Sequence, residues 1–251
     1  MTTSLAGRST IVTGASSGIG AATARALAAA GMRLTLAARR EDRLSALARE
    51  LEDAGAEVAV APTDVRDEQA ILRLFETART RFGGVDVLVN NAGLGLSAPI
   101  SGGSTESWRT MLEVNVLALC IATREAIADM ERRGVAGHVV HVSSMAGHRV
   151  PGIESAVYSA TKFAVRALTE GMRQELRARR SPIRVSAVSP GYVDTEFAEV
   201  FAGSPEAARK GTPSIKMLEA RDVADAILWI LRQPPHVQVH DVLLRPTEQR
   251  N

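Results

Sequence analysis

Short apolar runs recur along the chain, and longer stretches with helical periodicity separate most of them. The runs are STIVTG, MRLTLAA, EVAVAPTD, VDVLVNNAG, GHVVHVSS, IRVSAVSPG and VQVHDVLL. Helical spacing of apolar residues covers residues 21–30, 41–54, 67–82, 107–133 and 156–180. Continuously apolar strands that alternate with helices predict a parallel sheet covered on both faces. Because parallel crossovers are right-handed, the pattern favours an α/β fold: a doubly wound, Rossmann-like, seven-stranded sheet.

The chain is long enough for one sizeable domain and too uniform to suggest two. Its sequence contains no internal repeat, low-complexity tract or interdomain linker, so we interpret residues 1–251 as a single domain. Residues 194–217 form the one loose region, rich in Gly, Ser, Pro and charge. This region follows a strand, and ligands bind beyond the carboxyl ends of strands in such folds. We therefore predict a substrate loop there.

Composition excludes several classes of function. The net charge is only +2 and the basic residues are scattered, which does not favour a nucleic-acid partner. No apolar stretch approaches the length of a membrane span and no targeting segment is evident, so we expect a cytoplasmic protein without membrane contact. The five histidines lack metal-ligand spacing, so we predict no metal site. We interpret His138, His141 and His148 as loop or sheet-edge residues.

A glycine-rich turn follows the first predicted strand and opens an alanine-rich helix. Its sequence is TGASSGIG, residues 13–20. Glycines allow a tight turn and let the backbone approach a pyrophosphate, while a helix N-terminus supplies unpaired N–H groups and a positive dipole end. The alternative is a strand-to-helix turn that needs glycine only for its backbone angles. The predicted phosphate-binding residues are Gly14, Ser16, Ser17, Gly18, Ile19 and Gly20.

A tyrosine and a lysine lie four residues apart in a helical stretch near the middle of the chain. This spacing places Tyr158 and Lys162 on one face of a helix, one turn apart. A phenol with a pKa of about 10 is a poor base at neutral pH. A neighbouring ammonium favours the phenolate, so we expect Lys162 to lower the pKa of Tyr158 toward the working range. Such pairs are common on amphipathic helices, so this pair indicates a catalytic site only in combination with the other motifs.

The motifs fall in an order and spacing that resemble the short-chain dehydrogenase/reductase family over essentially the whole chain. They are TGASSGIG, the NNAG of residues 90–93, Asn115, the serine of Ser144-Met145-Ala146-Gly147, Tyr158-x-x-x-Lys162, and Pro190-Gly191. The segments SSMAGHRV, YSATKFAVRALTEGMRQELR and RPTEQ are also similar to carbonyl and steroid-ketone reductases. The last of them resembles bacterial reductases of clavulanate-type aldehydes and small hydroxy acids.

The resemblance implies a role for each of four residues. Tyr158 would exchange a proton with the reacting oxygen, and Lys162 would hold the nicotinamide ribose hydroxyls. Ser144 would hydrogen-bond the reacting oxygen as charge develops there. Asn115 would hold a water that connects Lys162 to solvent. Strand alternation sends Ser143 and Ser144 in opposite directions, and the family pattern of a serine three residues before a glycine selects Ser144.

The end of the second strand indicates which nicotinamide cofactor is used. An NAD-specific site has a carboxylate there to bind the ribose 2′-hydroxyl, but this chain has Ala38. Arg39 and Arg40 follow, and a guanidinium offers a 2′-phosphate a charge-assisted fork. We therefore predict NADP(H). The alternative is a pair of solvated arginines, which fits poorly because cations oppose the dipole at a helix N-terminus.

Further cofactor contacts are carried over from the family. Asp64 and Val65 would meet the adenine ring, although an Asx turn or a helix cap is an equal interpretation of Asp64. Asn91 would either lie beside the cofactor or only buttress the sheet. The remaining implied contacts are Ala92, Gly93, Pro190, Gly191, Val193 and Thr195.

The predicted reaction interconverts a carbonyl, either ketone or aldehyde, and an alcohol. Candidate pocket residues are mostly apolar: Leu94, Leu96, Met145, Val150, Ile153, Tyr192, Phe197 and Phe201. Arg149 would suit a substrate carboxylate if it turned inward, or would point to solvent. One alternative is an alcohol or hydroxy-acid dehydrogenase working in the oxidative direction. Another is a non-catalytic NADP sensor, which the presence of both Tyr158 and Lys162 disfavours.

We also expect a homo-oligomer, either a tetramer or a dimer. The helical stretches 107–133 and 156–180 are strongly apolar. In the resembling family these two helices from each subunit form a shared four-helix bundle, in which a two-fold axis makes each patch complement itself. The alternative is that their apolar faces only cover the sheet.

Overall fold

The computed structural model describes residues 3–211 and 214–250. Within these residues, seven strands form one parallel sheet in the order β3-β2-β1-β4-β5-β6-β9. The strands are β1 (Ser9–Thr13), β2 (Arg33–Ala38), β3 (Val58–Pro62), β4 (Val87–Asn90), β5 (His138–Val142), β6 (Arg184–Pro190) and β9 (Asp241–Leu244). The predicted doubly wound α/β fold is confirmed. The strand order reverses between β1 and β4, which is where such sheets open a crevice for ligands.

Helices cover both faces of this sheet. In the described chain they are α1 (Gly18–Ala29), α2 (Glu41–Asp53), α3 (Glu68–Phe82), α4 (Thr105–Leu112), α5 (Ala118–Arg133), α6 (Ala156–Ala178), α7 (Phe197–Ala202), α8 (Pro205–Gly211) and α9 (Ala220–Arg232). One apolar core lies between the sheet and α1, α2 and α9, and a second lies between the sheet and α3, α5 and α6. Val12 of β1 joins the first core and its neighbour Ile11 joins the second. Every residue of β1 and β5 is buried because both faces are covered.

The predicted helix over residues 107–133 is interrupted in the structure. Helix α4 ends at Leu112, a single π-helical turn spans Glu113–Leu117, and α5 begins at Ala118. A π turn inserts an extra residue into the helix, and such turns are frequent at functional sites. The apolar periodicity continues across the turn, so the sequence pattern alone did not reveal it.

The predicted loop over residues 194–217 contains regular structure. Helices α7 and α8 lie inside it, and two short strands, β7 (Val193–Asp194) and β8 (Leu218–Glu219), pair in parallel across its base. Residues 212 and 213 of the predicted loop lie outside the described residues. Part of the region that composition marks as loose is therefore helical, and its role as a substrate loop stays a prediction.

Two of the three histidines assigned to loops or sheet edges lie in a central strand. His138 and His141 belong to β5, which pairs with β4 and β6, and both are buried. The ring of His141 contacts Thr123 Oγ1 at 3.1 Å and Thr169 Oγ1 at 2.8 Å. Burial, followed by the charge of Lys162, lowers the pKa of His141 to about 3, so the ring is neutral at physiological pH. These hydroxyl partners make an interior imidazole tolerable.

Residues 3–211 and 214–250 contain neither a membrane-spanning helix nor a metal-binding cluster of side chains. Every helix there is too short or too polar to cross a bilayer. The same residues hold no cluster of three or more His, Cys, Asp or Glu side chains that could bind a metal ion.

Candidate active site

The glycine-rich turn between β1 and α1 is tightly packed against the end of β4. Gly14 and Gly18 have φ angles of 66° and 51°, in the left-handed region that favours glycine. A Cβ on Gly20 would overlap the carbonyl oxygen of Gly14. The side-chain amide of Asn91 donates to the carbonyl oxygens of Thr13 and Gly14 at 2.9 and 3.2 Å. The turn therefore requires its glycines, and Asn91 braces it, while a contact of Asn91 with the cofactor stays a prediction.

The N-terminus of α1 faces the space above this turn. Among the described residues it has no side-chain cap at Ser17 and no acidic residue in its first turn. The hydroxyls of Ser16 and Ser17 instead accept hydrogen bonds from Arg40, at 3.2 and 2.6 Å. Uncapped N–H groups and a positive dipole end suit a phosphate group. The turn and the helix start thus fit the pyrophosphate of a dinucleotide.

The residues after β2 and β3 border the same space. Ala38 is buried at the end of β2, and Arg39 is exposed without a hydrogen bond or ion pair to any described residue. Asp64 pairs with Arg66 at 2.6 Å and also accepts from the Arg66 backbone N–H, which is an Asx turn. The hydrogen bond from Arg66 lowers the pKa of Asp64. Val65 packs against the second core.

Helix α6 carries the tyrosine and lysine on its buried face. Lys162 Nζ donates to the carbonyl oxygen of Val142 at 2.9 Å and lies 5.9 Å from the centre of the Tyr158 ring. Ser143 Oγ donates to the carbonyl oxygen of Lys162 at 3.3 Å. Ser144 points the other way, and its hydroxyl faces the hydroxyl of Tyr158. The structure therefore places Ser144, rather than Ser143, beside the tyrosine.

Burial dominates the pKa values of this pair. Burial raises the pKa of Tyr158 to about 12, and the hydrogen bond from Ser144 opposes this shift. Burial lowers the pKa of Lys162 to about 8. The expected lowering of the Tyr158 pKa was wrong for the protein by itself. Burial removes the phenolate from water and destabilises it. The ammonium of Lys162, 5.9 Å from the ring centre, does not compensate for this loss of hydration.

Asn115 lies in the π turn and joins three elements. Its Oδ1 accepts from the Leu94 backbone N–H at 2.9 Å, and its Nδ2 donates to Leu94 O at 2.7 Å and to Thr161 Oγ1 at 3.0 Å. A Cβ on Gly93 would lie 3.4 Å from both Asn115 Oδ1 and Lys162 Nζ. Asn115 thus fixes the segment after Gly93 against α6, and its water-holding role stays a prediction.

Helix α7 covers the tyrosine. The ring centres of Phe197 and Phe201 lie 5.4 and 6.3 Å from that of Tyr158. A Cβ on Gly95 would lie 2.8 Å from each phenylalanine ring. The Ser97 backbone N–H donates to the carbonyl oxygen of Phe201 at 3.0 Å and holds the helix in place. The cover over the candidate site is therefore aromatic and fits closely at Gly95.

Residues 8–203 match the family model described as short chain dehydrogenase. The chain belongs to the short-chain dehydrogenase/reductase family. It is 47% identical over 248 residues to Dehydrogenase/reductase SDR family member 11 of Gallus gallus, covering 97% of each chain. It is 41% identical to Farnesol dehydrogenase of Aedes aegypti, covering 98% of each. This family consists of oxidoreductases that bind a nicotinamide cofactor.

Solved structures of the same family superpose closely. The closed form of serine dehydrogenase complexed with NADP+ has a TM-score of 0.89 at 32% identity, covering 97% of this chain and 96% of that one. An alcohol dehydrogenase from Thermococcus sibiricus complexed with 5-hydroxy-NADP has a TM-score of 0.85 at 33% identity, covering 97% and 98%. Both similarities extend over nearly the whole of each chain.

The remaining positions implied by this short-chain dehydrogenase/reductase pattern lie along β6 and the segment after it. Pro190 ends β6, and the Gly191 backbone N–H donates to Leu244 O at 2.8 Å. Val193 begins β7. The methyl of Thr195 lies 3.2 Å from where a Cβ on Gly18 would be, so it meets the phosphate loop. The structure therefore brings this segment to the loop and to Tyr158 together.

Some predicted pocket residues lie elsewhere, and several neighbours of Tyr158 were missed. Val150 and Ile153 are 58% and 87% exposed, outside the apolar cluster around Tyr158. Arg149 is half-buried, and its Nε is buried without a hydrogen-bond partner among the described residues. The cluster also includes residues that sequence reasoning did not single out, namely Ala98, Trp108, Met111, Ala146 and Val157. Their apolar spacing is that of ordinary core, so no local signal marks them.

Proposed function

We propose that the protein is an NADP(H)-dependent oxidoreductase that interconverts a carbonyl and an alcohol, with Tyr158 as the acid and base. The observation that supports this most is the buried Tyr158 hydroxyl facing Ser144, with Lys162 one helical turn away. The braced, glycine-rich phosphate loop lies at the same end of the sheet, beyond the strand order reversal.

In reduction, Tyr158 is the proton donor. Its raised pKa keeps the phenol protonated at neutral pH, ready to protonate the carbonyl oxygen as negative charge develops there. Ser144 donates a hydrogen bond to the same oxygen. When bound, the nicotinamide cofactor supplies the hydride. Lys162 donates to Val142 O; its ammonium would stabilise the phenolate that remains and would hold the ribose hydroxyls of a bound cofactor.

The preference for NADP(H) rests on the charges around the end of β2. Ala38 leaves no carboxylate to repel a 2′-phosphate or to accept from a 2′-hydroxyl. The guanidinium of Arg39 is exposed and makes no hydrogen bond or ion pair with the described residues, and Arg40 donates to the serine hydroxyls of the phosphate loop. Four related structures carry NADP or an NADP derivative, which favours the same assignment, and one carries NAD.

An absorbance assay tests the proposed activity. The purified protein, given a panel of ketones and aldehydes, is expected to consume NADPH with at least one of them. The rate at low cofactor concentration should exceed that with NADH by about 10- to 100-fold, the value of one charge-assisted contact to the 2′-phosphate. Preference for NADH would contradict the cofactor assignment, and no turnover with any carbonyl or alcohol would contradict the reaction class.

The substrate that the cover suits best is a hydrophobic ketone or aldehyde. Phe197, Phe201, Leu94 and Leu96 surround Tyr158 with apolar surface. A relative named Farnesol dehydrogenase favours the same class. The second candidate is a hydroxy acid oxidised by NADP+, because serine dehydrogenases superpose on this chain. Hydroxy acids with NADP+ therefore belong in the same screen.

We further propose that the chain, as a single domain, assembles into a homo-oligomer, most simply a tetramer. Ala160, Phe163 and Ala167 follow one another at helical spacing along the exposed side of α6. Leu112 and Leu117, on α4 and the π turn, are 50% and 55% exposed. Apolar stripes of this kind mark association surfaces.

Light scattering at micromolar concentration gives the mass directly. We expect four times the 26.7 kDa of one chain. Twice that mass would leave a dimer in place of the tetramer. The mass of a single chain would contradict the oligomer. These apolar residues would then be exposed surface residues without a role in association.

A further inference from the structure

Glu196, the residue immediately before α7, forms ion pairs with two arginines near the end of β2. Its carboxylate oxygens lie 2.9 Å from Arg40 Nη1 and 2.5 Å from Arg43 Nη1. Hydrogen bonds from Arg40 and Arg43 lower the pKa of Glu196, so it is charged at neutral pH. A segment distant in the sequence therefore places an anion on the arginines after β2.

The same arginines border the phosphate loop. Arg40 donates through Nε and Nη2 to Ser16 Oγ, and through Nη2 to Ser17 Oγ. Its Nη1 is directed to Glu196. The guanidinium of Arg40 thus lies between the hydroxyls of the loop and the Glu196 carboxylate. Glu196 therefore engages N–H groups of Arg40 and Arg43 that would otherwise be available, together with Arg39, to a 2′-phosphate at the end of β2.

We propose that Glu196 and the 2′-phosphate of NADP(H) compete for Arg40 and Arg43, so that Glu196 sets how strongly the protein prefers NADP(H) over NAD(H). The proposal rests on the NADP(H) preference under Proposed function. It assigns a specificity-determining role to a residue whose side chain pairs with the arginines after β2.

A bound phosphate can replace Glu196 in its ion pairs with Arg40 and Arg43. The side chains of Glu196, Arg40 and Arg43 are 47%, 40% and 45% exposed, so the carboxylate can turn to solvent without burial of charge. Exposed pairs contribute little net stability. A phosphate dianion carries more charge and more acceptor oxygens than a carboxylate and binds guanidinium more strongly. A carboxylate that stayed in place would repel the phosphate, which makes the exchange necessary.

Glu196→Gln tests the competition, because glutamine keeps the shape and removes the charge. We propose calorimetry on the full-length protein with 2′,5′-ADP and with 5′-AMP, which lacks the 2′-phosphate. The variant is expected to bind 2′,5′-ADP about three- to tenfold more tightly than the wild type and 5′-AMP equally well. The gain should shrink as salt is added, because exposed charges are screened.

Glu199→Gln is the matched control. Glu199 lies in α7, close to Glu196, and pairs with no cation among the described residues. This variant should bind both nucleotides as the wild type does. Thermal melting of each variant checks folding, and Glu196→Ala provides the same charge removal if the glutamine variant does not fold.

Three results would overturn the proposal. Unchanged binding of 2′,5′-ADP by Glu196→Gln would show that the carboxylate does not compete. Weaker binding would show that Glu196 orients the arginines for the phosphate instead. If the wild type itself binds 2′,5′-ADP no better than 5′-AMP, the NADP(H) preference fails and takes this proposal with it. The first two results leave the proposed activity standing.

Discussion

Tyr158→Phe is expected to reduce kcat for carbonyl reduction by about 10²–10⁴-fold, the usual contribution of an acid–base group. The substitution removes only the hydroxyl that faces Ser144. The ring remains, so its packing with Phe197 and Phe201 is preserved and the fold should not change. Affinity for NADPH should stay within about twofold, because none of the proposed phosphate contacts is touched. Steady-state kinetics and NADPH fluorescence titration measure the two effects separately.

Tyr192→Phe is the matched control for this prediction. Tyr192 is the other tyrosine of the chain, and it is 43% exposed, whereas Tyr158 is buried. Tyr192 is a predicted pocket residue, so removal of its hydroxyl should act on KM for the substrate and spare the acid–base step measured by kcat. Near-normal activity of Tyr158→Phe would rule out Tyr158 as the acid, and an equal loss in both variants would point to a general effect of phenol removal.

Gly20→Ala should weaken NADPH binding by at least about tenfold and lower the free energy of unfolding by about 1–3 kcal/mol, as overpacking does. A Cβ at this position would overlap Gly14 O and lie 2.5 Å from Asn91 Nδ2. Both are parts of the brace that shapes the phosphate loop. The loop must therefore move, and the backbone N–H groups that suit the pyrophosphate move with it. Denaturant unfolding and NADPH titration measure the two quantities.

Gly171→Ala makes the same chemical change in a helix, α6, where space is open. A Cβ there would meet no described atom within 4 Å outside its neighbours and its own helix backbone. This variant should bind NADPH normally and gain about 0.5–1 kcal/mol of stability, since alanine is the better helix former. Normal NADPH binding by Gly20→Ala would show that the loop does not form the cofactor cradle.

The order of elements could be predicted because periodicity is a local property. Apolar runs such as STIVTG became buried strands, and the glycine-rich turn fell between β1 and α1 as expected. The positions of the histidines were predicted wrongly. We expected them in loops or at sheet edges, yet His141 lies in the central strand β5, where the hydroxyls of Thr123 and Thr169 are its hydrogen-bond partners. Those partners come from α5 and α6, and no local pattern pairs them with a strand residue.

The sequence by itself determined the strand and helix order, the positions of the glycines and the one-turn spacing of Tyr158 and Lys162. Each of these depends on residues close together along the chain. Only the tertiary structure decided that Ser144 faces the tyrosine, that Phe197 covers it and that burial raises its pKa. It also brought Glu196 to Arg40, 156 residues away in sequence. Solvent exclusion and long-range charge contacts depend on every element that surrounds a group, and that environment exists only once the chain has folded.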